Sequence, residues 1–257
     1  MALDHFPPDP AYGDGIYRRR IRLHSPGKTV VTATLDDDHH GLWCRIDHDG
    51  VVVTGVDGGF SRPPTTACGG AVMPLHELIG VPLVASGTDL TGNGRARRNC
   101  THMFDIATLA LAHALRPDEH RLYDVVIPDA HDGRQSAWVE RDGVTVHRWE
   151  LEQGRIVAPV DLAGRALLGG FTRWGMETFT GEELEAATVL QRGYFVSRAR
   201  AYVTDSGAPY PLSARPGSAG VCHAYSSPQR ETAWSISGNE RDFTAGVIEA
   251  GLPETGR

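Results

Sequence analysis

The chain has 257 residues, 40% of them apolar, and a net charge of −7. That is enough apolar material for a real core, and it leaves no basic footprint for nucleic acid. No run of about 18 apolar residues appears, so no membrane span is expected. Residues 1–14 carry no apolar segment of a signal peptide. The expected setting is the cytoplasm, with the four cysteines reduced. Lys28 is the only lysine and lies in a Pro-Gly-Lys turn, a poor place to desolvate an amine, which argues against Schiff-base chemistry.

The first half reads as a β meander. Tyr17, Arg19, Ile21 and Leu23 alternate with Arg18, Arg20 and Arg22, the period of a strand. The three arginines of the second set read as a solvated face, with an anionic ligand as the alternative. Residues 30–35 form a second strand. Leu42, Cys44 and Ile46 share a face of a third, and residues 51–56 form a fourth. Asp49-Gly50 supplies the hairpin between the last two.

The chain then changes character. A loop over residues 63–70 leads into a short helix ending near Ile79, with Pro74 near its start and Gly80 as its stop. Residues 86–98 form a polar loop that brings Arg95, Arg97 and Arg98 close to Cys100 in sequence. The next helix runs over 101–115, with Phe104, Ala107, Leu111 and Ala114 as its buried stripe. Arg116-Pro117 ends it.

A second β group follows at 122–127, 136–141, 144–151 and 156–157, with Asp142-Gly143 as a hairpin turn. Thr180-Gly181-Glu182-Glu183 reads as a capping box opening a helix that carries Leu184, Ala187, Leu190 and Tyr194 on one side. Residues 1–204 thus form a single α+β domain of antiparallel β meanders with a few packed helices. Residues 205–257 read as a Pro-, Gly- and Ser-rich extension, loosely held and touching the domain at most through Trp234 and Phe243. No internal repeat is visible. Leu252-Pro253-Glu254-Thr255-Gly256 matches a sortase signal but lacks the apolar span and basic tail of an anchor.

Chemistry concentrates in four islands: Asp36-Asp37-Asp38-His39-His40, Cys68, Cys100 with His102 and Asp105, and, more weakly, Cys222-His223. Cys68 and Cys100 each open a predicted helix, where unpaired N–H groups and the positive dipole end favour thiolate. An imidazole and two thiolates make a donor set for zinc, and a fourth ligand or water completes a tetrahedron. No Cys-x-x-Cys is present, so only the fold would bring these residues together. Cys44, between Leu42 and Ile46, reads as core. There is no Gly-x-Ser-x-Gly elbow and no dinucleotide-binding glycine motif.

The runs Tyr17-Arg18-Arg19-Arg20-Ile21, Leu35-Asp36-Asp37-Asp38-His39-His40, Thr65-Thr66-Ala67-Cys68, Cys100-Thr101-His102-Met103-Phe104-Asp105 and Gly170-Phe171-Thr172-Arg173-Trp174 resemble the bacterial DUF2889 family. The resemblance covers residues 16–202 and implies a fold grouping but no activity, since that family's function is unknown. The layout is also similar, more distantly, to iron–sulfur scaffold proteins of the NifU and IscU type. That similarity places His40 where their first cysteine falls and Cys68 and Cys100 at the second and third. Those proteins hold zinc or a cluster with three cysteines and an acidic residue; the histidine here departs from that pattern, weakens cluster assembly and fits a zinc or iron site with an open position.

These readings lead to a metal-dependent enzyme acting on a small organic molecule by hydrolysis, hydration or bond cleavage without redox. Zinc is the expected ion and iron the alternative. His40, Cys68 and Cys100 would hold it, with His102 or Asp38 completing the set. Asp38 or Asp105 would carry a proton, and Arg97 or Arg98 would hold an anionic substrate group. Two alternatives stay open: a non-catalytic metal or iron–sulfur carrier, and a metal-free cysteine enzyme with Cys100 as nucleophile. The second is disfavoured because residues two apart on a helix diverge. No membrane or nucleic-acid partner is expected, and exposed strand edges leave a homodimer open.

Overall fold

Strand β1 (Ile16–His24) buries Tyr17, Arg19, Ile21 and Leu23 and turns Arg18, Arg20 and Arg22 to the opposite face. The same alternation recurs in β2 (Val30–Asp37) and β3 (Gly41–His48), and β4 (Val53–Arg62) closes the first meander. Cys44 is fully buried at the centre of β3, as its alternation predicts. The protein is described here by a computed structural model covering residues 6–90, 94–246 and 248. Leu252–Gly256 lies outside the described residues.

Between β4 and the next strand the chain is helical in short pieces. A 3-10 turn (Cys68–Ala71) runs into α1 (Val72–Leu75) and a second 3-10 turn (His76–Leu78). Gly80, at φ +83°, then reverses the chain, so the predicted stop is where the glycine is. The polar loop holds a one-turn helix, α2 (Arg95–Arg98), and α3 (Thr101–His113) follows directly. Met103, Phe104, Ile106, Ala107, Ala110 and Leu111 of α3 are buried, a wider stripe than the four residues predicted. The mean period of 3.6 lets three or four residues per two turns face a core when a flat sheet lies beneath.

The second meander comprises β5 (His120–Pro128), β6 (Arg134–Arg141), β7 (Val144–Glu152) and β8 (Arg155–Ala158). Asp142 and Gly143 both adopt positive φ (52° and 81°), the pair of left-handed residues that a two-residue hairpin needs. Two helices follow, α4 (Phe171–Thr178) and α5 (Gly181–Ser197). Thr180 is the N-cap of α5 through its backbone, but its side chain makes no capping bond. The Thr180 half of the capping box is thus unformed; Glu182, one residue before the box position, pairs with Arg121 and Arg141.

Among the described residues, eight strands make one antiparallel sheet in the order β4-β3-β2-β1-β5-β6-β7-β8. The fold is α+β. Strands β1 and β5 pair along their full lengths, from Ile16 opposite Pro128 to His24 opposite His120. Helix α3 packs on β1–β3 and α5 on β5–β7, and both contribute to one continuous core. The chain therefore repeats a topology, a four-stranded meander followed by a helix, although the two halves share no visible sequence period. Burying side chains such as Phe104 and Trp149 contributes roughly 1.5–3 kcal/mol each. Among the described residues no helix is long and apolar enough to cross a membrane.

The C-terminal segment is more tightly held than its composition suggests. Leu212, Ala224 and Ala233 are buried with Cys68 in a second small core, and α6 (Gln229–Thr232) lies within this segment. Trp234, an expected anchor, is 47% exposed; its backbone does the anchoring, with Thr66 N–H donating to its carbonyl. The chain then crosses the polar face of the central strands. Arg18 Nε donates to the Phe243 carbonyl, and Arg20 and Arg22 donate to the Ile248 carbonyl. This face is therefore neither simply solvated nor an anion site: its arginines satisfy backbone oxygens of a segment too short of regular structure to satisfy its own, and Arg20 also pairs with Asp124.

Candidate functional site

The site begins with a charge pair inside the sheet. Asp37 ends β2 directly across from Arg19 of β1, and both side chains are at most 1% exposed. Asp37 Oδ2 accepts from Arg19 Nε (3.0 Å), Arg19 Nη2 (2.7 Å) and the Tyr17 hydroxyl (2.9 Å). Its Oδ1 accepts from the backbone N–H groups of His39 (2.9 Å) and His40 (2.8 Å), which folds the turn into β3. Burial alone would protonate this carboxyl, but its interactions with His40 and Arg19 outweigh burial and hold it well below the ordinary carboxylate range.

The same Oδ1 lies 3.0 Å from His40 Nδ1. An ionised carboxylate only accepts, so Nδ1 carries the proton and Nε2 keeps its lone pair. This is the arrangement that orients metal-binding or base-acting histidines. The His40 ring lies against that of His102, with centroids 3.9 Å apart and planes tilted by 35°. Burial depresses the pKa of both imidazoles, and for His102 the neighbouring His40 adds to it. His102 has no hydrogen-bond partner among the described residues.

Both rings open onto a cavity of about 190 Å³, whose walls also carry Cys68, Cys100 and Cys222. Phe60, Phe195 and Ile236 make it largely apolar. Cys100 is the N-cap of α3 with an extended backbone (φ −64°, ψ 123°). It is not yet in the helix, so the rule separating residues two apart does not apply, and Cys100 and His102 face the same space. Cys68 opens its 3-10 turn with Sγ 3.1 Å from Thr65 Oγ1.

Cys222 comes from the C-terminal segment. Two backbone contacts seat that segment beside the other thiols. His223 N–H donates to the carbonyl of Asn99, the residue before Cys100, and Ile236 N–H donates to Pro64 near Cys68. The sequence pointed only weakly to Cys222, because nothing in its spacing ties it to residues more than a hundred positions away.

The thiols are not the thiolates that helix starts predict. Burial pushes Cys68 up to about 11 and Cys100 further, and the backbone N–H groups of Met103 and His102 at Cys100 offset only part of this. Burial raises Cys222 as well. Desolvation of a charge inside an apolar wall exceeds what one helix terminus returns.

Four other predicted residues lie elsewhere. Asp38 is buried outside the cavity lining, its Oδ2 2.5 Å from Arg200 Nη1, and burial pushes its pKa up to about 6 against that arginine. His39 and Glu240 line both this cavity and a separate cleft that Asp38 lines. Asp105 faces a second cavity between α3 and α5, with Oδ1 3.5 Å from Arg192 Nε. Arg98 is exposed and bridges Glu77 at 2.7 Å. The side chain of Arg97 lies outside the described residues.

His40, Cys68, Cys100 and His102 thus share one cavity, joined by Cys222. In the rotamers present, no three of their donor atoms lie within 4.8 Å of one another; among the described residues the group that meets this spacing is His24, Glu119 and His120. A scan against protein-family models finds no match for this chain, and a search among curated proteins finds none either.

Proposed function

We propose that this protein is a metal-dependent enzyme, with zinc in the cavity, that acts on a small, largely apolar organic molecule by hydrolysis, hydration or bond cleavage without redox. The observation that carries the reading is the Asp37–His40 hydrogen bond, which leaves a lone pair of His40 unpaired beside His102 in a cavity walled by three thiols. His40, His102, Cys68 and Cys100 are the ligand candidates, with Cys222 as the addition from the C-terminal segment. Binding there requires the donors to come within bonding reach and the thiols to lose their protons.

Zinc held by these residues would supply Lewis acidity, activating water near neutral pH or polarising a substrate oxygen. The chain's own part is to fix His40 through Asp37, to exclude bulk water with Phe60, Phe195 and Ile236, and to close the cavity with residues 205–240. Asp38, next to the cavity through His39, is the proton carrier in this reading. Asp105, on the other side of α3, is not.

A second reading, a soft-metal or iron–sulfur carrier, draws on the three thiols in one cavity. Element-resolved metal analysis of untagged wild type and of Cys100→Ala and His40→Ala decides the first point. Stoichiometric zinc lost in both variants supports the metal site that the enzyme reading requires. Iron with a visible chromophore after anaerobic reconstitution supports the carrier. Stable wild type without metal in this cavity overturns both.

A further inference from the structure

We propose a second metal site, for a divalent transition ion of which zinc is the reference case, at His24, Glu119 and His120. It shares no residue with the cavity. His24 is the last residue of β1 and His120 the first of β5, and the two are directly paired across the ladder. Their rings are stacked, with centroids 4.5 Å apart and planes 2° from parallel.

Glu119 precedes His120, and its Oε1 lies 3.4 Å from Nε2 of both histidines. All three donors lie within 4.8 Å of one another. Metal–ligand bonds of about 2.0–2.1 Å at tetrahedral angles place neighbouring donors about 3.4 Å apart, so two of the three edges already have that length. Two imidazoles and a carboxylate suit zinc, nickel or copper.

The backbone holds the ligands in place. Ser25 N–H donates to the Glu119 carbonyl at 2.8 Å, fixing Glu119 against the end of β1. Strand register fixes the backbone of both histidines, so the entropy lost on binding is mainly that of the side chains. Glu119 and His120 are more than half exposed, which leaves solvent to complete the coordination and gives the His120 ring room to tilt. The ion would join β1 to β5, the ladder that connects the two meanders among the described residues. Binding there stabilises the fold, because the unfolded chain does not hold these residues together.

The test uses untagged, chelator-treated full chain titrated with zinc chloride, reading stoichiometry by calorimetry and Tm by scanning. His24→Ala and His120→Ala, both at the sheet end, are compared with wild type and with His76→Ala, an exposed histidine elsewhere. The expected result is one fewer zinc per chain in each of the first two variants, with loss of the corresponding rise in Tm, and no change in His76→Ala. Cys100→Ala keeps this zinc, which separates the site from the cavity. Equal stoichiometry in wild type, His24→Ala and His120→Ala overturns the proposal, as does an equal loss in His76→Ala.

Discussion

Asp37 binds Arg19 through one carboxylate oxygen, 2.7 Å from Nη2, and His40 through the other, 3.0 Å from Nδ1. One buried side chain therefore neutralises a charge inside the sheet and sets the tautomer of a cavity histidine. Asp37→Asn leaves the Arg19 guanidinium buried without its counter-charge. The expected cost is about 3–5 kcal/mol, read as a lower midpoint in urea unfolding at unchanged slope. A loss under about 1 kcal/mol would show that Arg19 is neutralised by another group.

Leu212 tests whether the C-terminal segment belongs to the fold. Its side chain is fully buried beside Cys68, Ala224 and Ala233. Leu212→Ala should destabilise the protein by about 2–5 kcal/mol. A loosely attached tail would give no measurable change in global unfolding.

The thiols offer a third measurement. With Cys68 at about 11, roughly one thiol in a thousand is ionised at pH 8. Disulfide-exchange labelling of chelator-treated native protein should therefore be slow at Cys68 and Cys100, far faster after unfolding, and should accelerate with rising pH. Labelling of either at pH 7 as fast as in the unfolded chain would contradict the burial argument.

Glu182 supplies the pH prediction. A hydrogen bond from Arg121 lowers its pKa, helped by the nearby charges of Arg141 and Arg116. A carboxyl depressed in the folded state stabilises the protein above its unfolded pKa, and that contribution is lost as pH falls through the folded value. Glu182→Gln should lower stability at pH 7 by up to about 1 kcal/mol, and the gap to wild type should close at the acid end. A gap independent of pH would point to packing rather than charge.

Strands were the most legible part of this chain. Alternation at Tyr17, Arg19, Ile21 and Leu23 and the turn at Asp142-Gly143 are local properties with local physical causes, and the structure reproduces them; at Asp49-Gly50 the chain also turns, but over four residues, with the next strand starting at Val53 rather than Val51. The segment after residue 204 is less legible for the opposite reason. Its composition is that of a loose tail, but scattered Leu212, Ala224 and Ala233 find a shared apolar wall only once β4 and the Cys68 turn are in place. The role of Asp37 was hidden within a run of three aspartates. Only the pairing of β1 with β2 shows which of the three faces Arg19.

The residue order of this chain carries its secondary structure, because strand period, tight turns and helix stripes depend on neighbours a few positions away. It also carries the kinds of donor atom available: imidazole, thiol and carboxylate. Which of them meet, and in which ionisation state, depends on long-range packing. Cys222 reaches the cavity because backbone bonds at Asn99 and Pro64 seat a distant segment, and the thiols stay protonated because that packing removes water around them. Desolvation is a property of the assembled interior, so no reading of helix starts along the chain could have weighed it.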